Sequence, residues 1–109
     1  MNETELELTV RDGDQSGTAV VVAIGEVDAS NCKSLEDLLL SFARTDGRRQ
    51  VDVDLAEVSF IDSSGLRALI VGERAISEAG GALRVNTASS VVRRLFEITG
   101  LIDRLGLNG

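Results

Sequence analysis

The sequence predicts an α/β domain built on a mixed sheet of four to five strands, with helices packed mainly on one face. Three observations carry that expectation. Short runs in which apolar and polar residues alternate take turns with longer stretches whose apolar residues recur at helical spacing. The first two alternating runs are separated only by the turn-forming "DGDQSG", whereas each later run is separated from the next by a helix-like stretch. The first arrangement suits a hairpin, and the second demands parallel crossovers. The alternation in "VDVDL" and "LRVN" further implies that one face of the sheet stays partly wet.

Taken in order, Leu6, Leu8 and Val10 alternate with Glu5, Glu7, Thr9 and Arg11, the period of a half-buried strand. "TAVVVAI" is a more apolar strand that ends at Gly25. From Ser30 to Arg44 the apolar positions are Leu35, Leu38, Leu39 and Phe42, one face of a helix that Asp28 or Ser30 can cap. "TDGRR" ends it, and Val51, Val53 and Leu55 form the inward side of the next strand. A second helix is predicted from about Ser64 to Ala79, stopped by Gly80 and Gly81. Its face of Ala68, Leu69, Gly72, Ile76 and Ala79 is narrow and small, which permits close packing. "ALRVN" is a fourth strand. Ser89 or Ser90 caps a third helix running through Thr99, with Val92, Leu95 and Phe96 inward, and "RLGL" reads as a short last strand.

Composition narrows the function. With 109 residues, 43% of them hydrophobic, and a mean hydropathy of +0.11, the chain reads as one globular domain across residues 1–109. No apolar run is long enough to span a bilayer, and "MNETELELTV" is the opposite of a signal peptide, so a cytoplasmic protein is expected. The formal charge is −7, from 18 acids and 11 bases, with no basic stripe, which argues against nucleic acid and favours a basic protein partner. Histidine is absent, so neither a Ser-His nor a Cys-His pair can be built and no imidazole metal site exists. No metal or cofactor is expected. The lone Cys32 cannot form an internal disulfide and reads as an inert thiol on the apolar face of the first helix.

One short stretch resists a purely structural account. Asp62, Ser63, Ser64 and Gly65 cluster where the apolar "VSFI" gives way to the second helix, at the carboxyl edge of a strand. Ser63 or Ser64 can cap that helix, and Gly65 suits either a compact turn or close approach by another chain. The cluster holds more polar groups than one cap requires. Leu66 and Ile70 lie off the inward face and are candidates for an apolar contact patch. Asp28 and Ser30 border the same edge, although helix capping explains them equally well.

The stretch from "DLAEVSFIDSSGLRAL" through "GGALRVN" to "RRLFEITGLIDRL" resembles the STAS domain of bacterial anti-sigma factor antagonists. The resemblance rests on Asp62-Ser63-Ser64-Gly65-Leu66, Gly80-Gly81, Arg94-Leu95-Phe96 and Gly100-Leu101, in that order, with "GEVDAS" similar to the family's "GELD" segment. It implies that Ser63 is reversibly phosphorylated by a partner that is both anti-sigma factor and serine kinase. The unphosphorylated form would bind that kinase and free its target, and a serine phosphatase would restore binding. Asp62, Ser63, Ser64, Gly65, Leu66, Ile70, Asp28 and Ser30 are the expected contact residues. Two departures stand out: Ser90 replaces a common proline, and many members continue past the equivalent of Gly109 into a final helix.

Two other functions compete. STAS domains also serve as subunits of transport and stress-signalling assemblies. An enzyme using Asp62 and Ser63 as acid and nucleophile is the third reading, but without histidine it has no activating base.

Overall fold

Alternation of side chains across the backbone decides most of the architecture. The computed structural model describes residues 5–45 and 50–107. In chain order the elements are β1 (Leu6–Asp12), β2 (Thr18–Val27), α1 (Cys32–Thr45), β3 (Gln50–Ile61), α2 (Ser63–Glu78), β4 (Ala82–Ala88), α3 (Ser90–Thr99) and α4 (Ile102–Leu105). The sheet order is β1-β2-β3-β4. β1 pairs antiparallel with β2 as a hairpin, and β2, β3 and β4 run parallel. Residues 46–49, expected to end the first helix, lie outside the described residues.

The expected wet face is there. Asp52 and Asp54 of β3, Arg84 and Asn86 of β4 and Arg11 of β1 line a shallow polar groove across the sheet. On the opposite side Val51, Val53 and Leu55 are fully buried with Val21, Ala23 and Val85. Each such side chain contributes roughly 1.5–3 kcal/mol by leaving water.

β3 is longer than "VDVDL" suggests, and it bends. Its buried residues are Val51, Val53, Leu55, Val58 and Ile61, so the spacing changes from two to three after Leu55. Pairing with β2 slips once between Val22 and Ile24 and again between Gly25 and Glu26. Each slip inserts an extra residue in β3, turning its phase so that Val58 and then Ile61 point into the core. The two slips together restore the original phase, so that Ile61 points inward and Phe60 is 47% exposed.

α1 and α2 pack closely, and the reason is a missing side chain. A Cβ on Gly72 would lie 2.7 Å from both Cβ and Cδ1 of Leu39. The small-residue face read from the sequence therefore meets another helix as well as the sheet. Cys32, the first residue of α1, packs against the core on the helix's apolar face but is only partly buried.

One correction concerns the carboxyl end. "RLGL" is not a strand. Ile102 to Leu105 form one helical turn in which Leu105 N donates to Leu101 O at 3.0 Å, and Gly106 ends it at φ 91°. Helical spacing lets Leu105 and Leu107 both reach the core, which an extended "RLGL" across Gly106 would not. The sheet accordingly has four strands among the described residues. Val92 and Phe96 are fully buried as expected, and Leu95, half-buried, packs against the same core.

Replacing Gly72 with valine forces a branched side chain onto Leu39, and overpacking of this kind costs about 1–3 kcal/mol. Urea unfolding of Gly72→Val should show a lower midpoint with an unchanged slope; an unaltered midpoint would contradict the close helix contact.

Candidate functional site

The carboxyl edges of β2 and β3 come level with one another. Val27 pairs with Ile61, and the next residue of β3 carries the register on, Asp62 N donating to Val27 O at 3.2 Å. The loop Asp28–Asn31 and the turn Asp62–Gly65 therefore stand side by side. β4 stops short of this level, its last pair with β3 being Leu55 and Ala88. Ser89 finishes that side of the sheet: its N–H donates to Leu55 O at 3.1 Å, and its hydroxyl donates to Val58 O at 2.6 Å. The same hydroxyl accepts from Val92 N at 3.3 Å, so Ser89, not Ser90, caps α3.

α2 begins at Ser63, and its cap is Asp62. The Asp62 backbone is extended, at φ −109° and ψ −170°, and Oδ1 accepts from Ser64 N at 2.9 Å and Gly65 N at 3.2 Å. Neither serine performs the capping expected of it, because a carboxylate one residue earlier already holds those amides. Ser63 is exposed and Ser64 half-exposed, and among the described residues no hydrogen bond engages either hydroxyl. The Ser63 hydroxyl is thus presented at the first position of a helix with no structural task of its own.

Gly65 and Leu66 require correction as contact residues. Both are buried, Leu66 at 7% exposure. A Cβ on Gly65 would lie 2.5 Å from Ile61 Cγ1 and 2.8 Å from Val27 Cγ1, so the close approach at this glycine is by its own chain. Leu66 is three residues before Leu69, and this spacing carries it into the inward face. Ile70 is half-buried and keeps part of its side chain accessible.

Asp28 organises the neighbouring loop. Its Oδ1 accepts from Ser30 N at 2.9 Å and from the Ser30 hydroxyl at 2.6 Å. Asn31, which the sequence reading passed over, closes the loop: Asp28 N donates to Asn31 Oδ1 at 3.0 Å, and Asn31 Nδ2 donates to Glu26 O at 2.9 Å. The signal was available in two short amide- or carboxylate-bearing residues three positions apart, a spacing that favours side-chain-to-backbone turns. Phe60 was also missed, although the alternation from Val51 through Leu55, carried forward to Ile61, puts it on the outward side two residues before Asp62. Among the described residues no group of three metal-ligating side chains converges, and no helix is long and apolar enough to cross a membrane.

The edge displays hydroxyls and carboxylates on a strand-to-helix turn. The family model described as "Mlab, STAS domain" matches residues 10–107. An anti-sigma-B factor antagonist of Staphylococcus aureus is 37% identical over 84 residues, covering 77% of each chain. A crystal structure of an anti-sigma factor antagonist from Mycobacterium paratuberculosis superposes with a TM-score of 0.79 at 25% identity, covering 94% of this chain and 84% of that one. The antagonist SpoIIAA in its unphosphorylated form gives 0.70 at 22% identity, with 87% and 82% covered. The chain belongs to the STAS-domain anti-sigma factor antagonist family. Proteins of this kind regulate rather than catalyse, and this one is not an enzyme.

The capping arrangement separates three neighbouring residues by their contribution to stability. Asp62→Ala should cost about 1 kcal/mol, and up to about 2, lowering Tm by several degrees. Ser63→Ala and Ser64→Ala should each stay within about 0.5 kcal/mol of the parent. Calorimetry that ranked Ser63→Ala with Asp62→Ala would show that the serine shares the capping role.

Proposed function

We propose that this protein is the antagonist in a cytoplasmic partner switch. Its unphosphorylated form binds an anti-sigma factor that is also a serine kinase and displaces the target held there. The kinase then charges Ser63: the Ser63 Oγ bonds to the γ-phosphorus of ATP, its proton passes to a base of the kinase, and ADP leaves. A serine phosphatase hydrolyses the ester and returns the hydroxyl. The observation that carries this reading is the exposed Ser63 hydroxyl, which no group among the described residues engages.

The physics of release follows from where that hydroxyl sits. A phosphoserine brings about −1.5 to −2 charges at neutral pH. A partner packed flat on Asp62, Ser63 and the accessible part of Ile70 would meet that charge inside a desolvated interface, where an unpaired charge costs a few kcal/mol. The fold loses nothing comparable, since Ser63 makes no internal bond that the phosphate would break. Asp28 and Ser30, one strand over, extend the docking edge, and Phe60 adds an exposed apolar contact beside it. SpoIIAA, which shares the fold, has been described in both an unphosphorylated and a phosphorylated form.

Incubation with candidate kinases and ATP, followed by mass spectrometry, should place phosphate on Ser63. Ser63→Asp should weaken kinase binding by about tenfold or more while its Tm stays within a few degrees of the parent. Phosphate found only elsewhere, or equal affinity of the charged and uncharged forms for the kinase, would sink the switch. Copurification with an ATPase or a ring-shaped particle would instead assign the domain to a transport or stress-signalling assembly.

A further inference from the structure

The edge that displays Ser63 is a poor place for an anion. Asp62 stands in the same turn, and Asp28 and Glu26 come from the loop and strand beside it, in a chain whose formal charge is −7. The helix-start amides that would ordinarily receive a phosphate at this position are engaged, since Asp62 Oδ1 holds both Ser64 N and Gly65 N. A dianion on Ser63 therefore needs a countercharge from another source.

α2 supplies one. Arg67 lies four residues after Ser63, the spacing that brings two helix side chains together one turn apart. It is exposed, and among the described residues it joins no ion pair: the pairs present are Lys33 with Asp37 and Arg104 with Glu73. Its partners at helical spacing are Ser63, Ser64, Ile70 and Val71, so no carboxylate on α2 is placed to occupy it. Guanidinium presents a planar fork that matches phosphate oxygens in pairs, which a lysine does not.

We propose that Arg67 is the clamp for phosphorylated Ser63, holding the phosphate in cis across one turn of α2. The proposal rests on the reading of Ser63 as the phosphoacceptor. It gives phosphorylation two effects at once: an anion appears at the docking edge, and a free cation is withdrawn from it. A partner that had placed an acidic side chain opposite Arg67 would lose that contact when the phosphate captures the guanidinium.

The test needs no kinase. Phosphoserine is installed at position 63 during translation, and the second ionisation of the phosphate is followed by phosphorus NMR in the parent, Arg67→Gln, Arg67→Lys and Arg74→Gln proteins. Arg74→Gln makes the same charge change eleven residues from Ser63 and controls for the general field of the protein. Arg67→Gln should raise the midpoint by roughly 0.3–0.7 pH unit over the parent at low salt, with Arg67→Lys in between. The gap should close in about 1 M salt, where the screening length falls to about 3 Å. A midpoint unmoved by Arg67→Gln, or moved equally by Arg74→Gln, would overturn the clamp. Failure of every kinase to modify Ser63 in the incubation above would instead strike the partner switch and leave this titration standing.

Discussion

The whole edge depends on how closely α2 can approach the strand that leads into it. Asp62 leaves β3 still bonded to Val27, and at the next residue the backbone is helical, with Gly65 pressed against Ile61 and Val27. Any Cβ at Gly65 would meet those two side chains at less than 3 Å, which packed interiors do not accommodate without movement. Moving α2 outward would draw the Ser64 and Gly65 amides away from the Asp62 carboxylate and loosen the helix start. The serine between them is held in place by its neighbours while making no side-chain bond of its own.

That arrangement also leaves the Ser63 hydroxyl outside the packing that holds the fold together. The core lies under α1 and α2, where Leu35, Leu39, Leu69 and Ile76 are buried with the inner residues of the sheet. Ser63 is at the far end of one strand and the near end of one helix, outside that packing. The capping energy, about 1 kcal/mol, is assigned to Asp62. Chemistry at Ser63 is therefore largely decoupled from folding.

Most of the architecture was legible from the residues. The alternation in "VDVDL", the helical spacing of Leu35, Leu39 and Phe42, and the single turn between the first two strands were enough for element order and for parallel pairing in the middle of the sheet. "RLGL" misled because two leucines around a glycine fit an alternating pattern as well as they fit the end of a helical turn; only the bond from Leu105 N to Leu101 O distinguishes them. At the site, the motif located the turn but not its internal division of labour. Serine and aspartate are both good caps, and nothing in their order says which of the three takes the amides. Leu66 was misplaced because the inward face was drawn from Ala68 onward. What the alternation could not supply was Val58 inward with Glu57 and Ser59 outward, which depends on the two register slips against β2.

The independence of residue 63 from the rest of the fold has an evolutionary side. Because among the described residues the side chain at this position makes no bond, a lineage could exchange its serine for alanine or threonine without meeting a folding barrier. Folding alone would not preserve a hydroxyl there, whereas at the glycine two residues on steric exclusion by Ile61 and Val27 would keep the side chain absent.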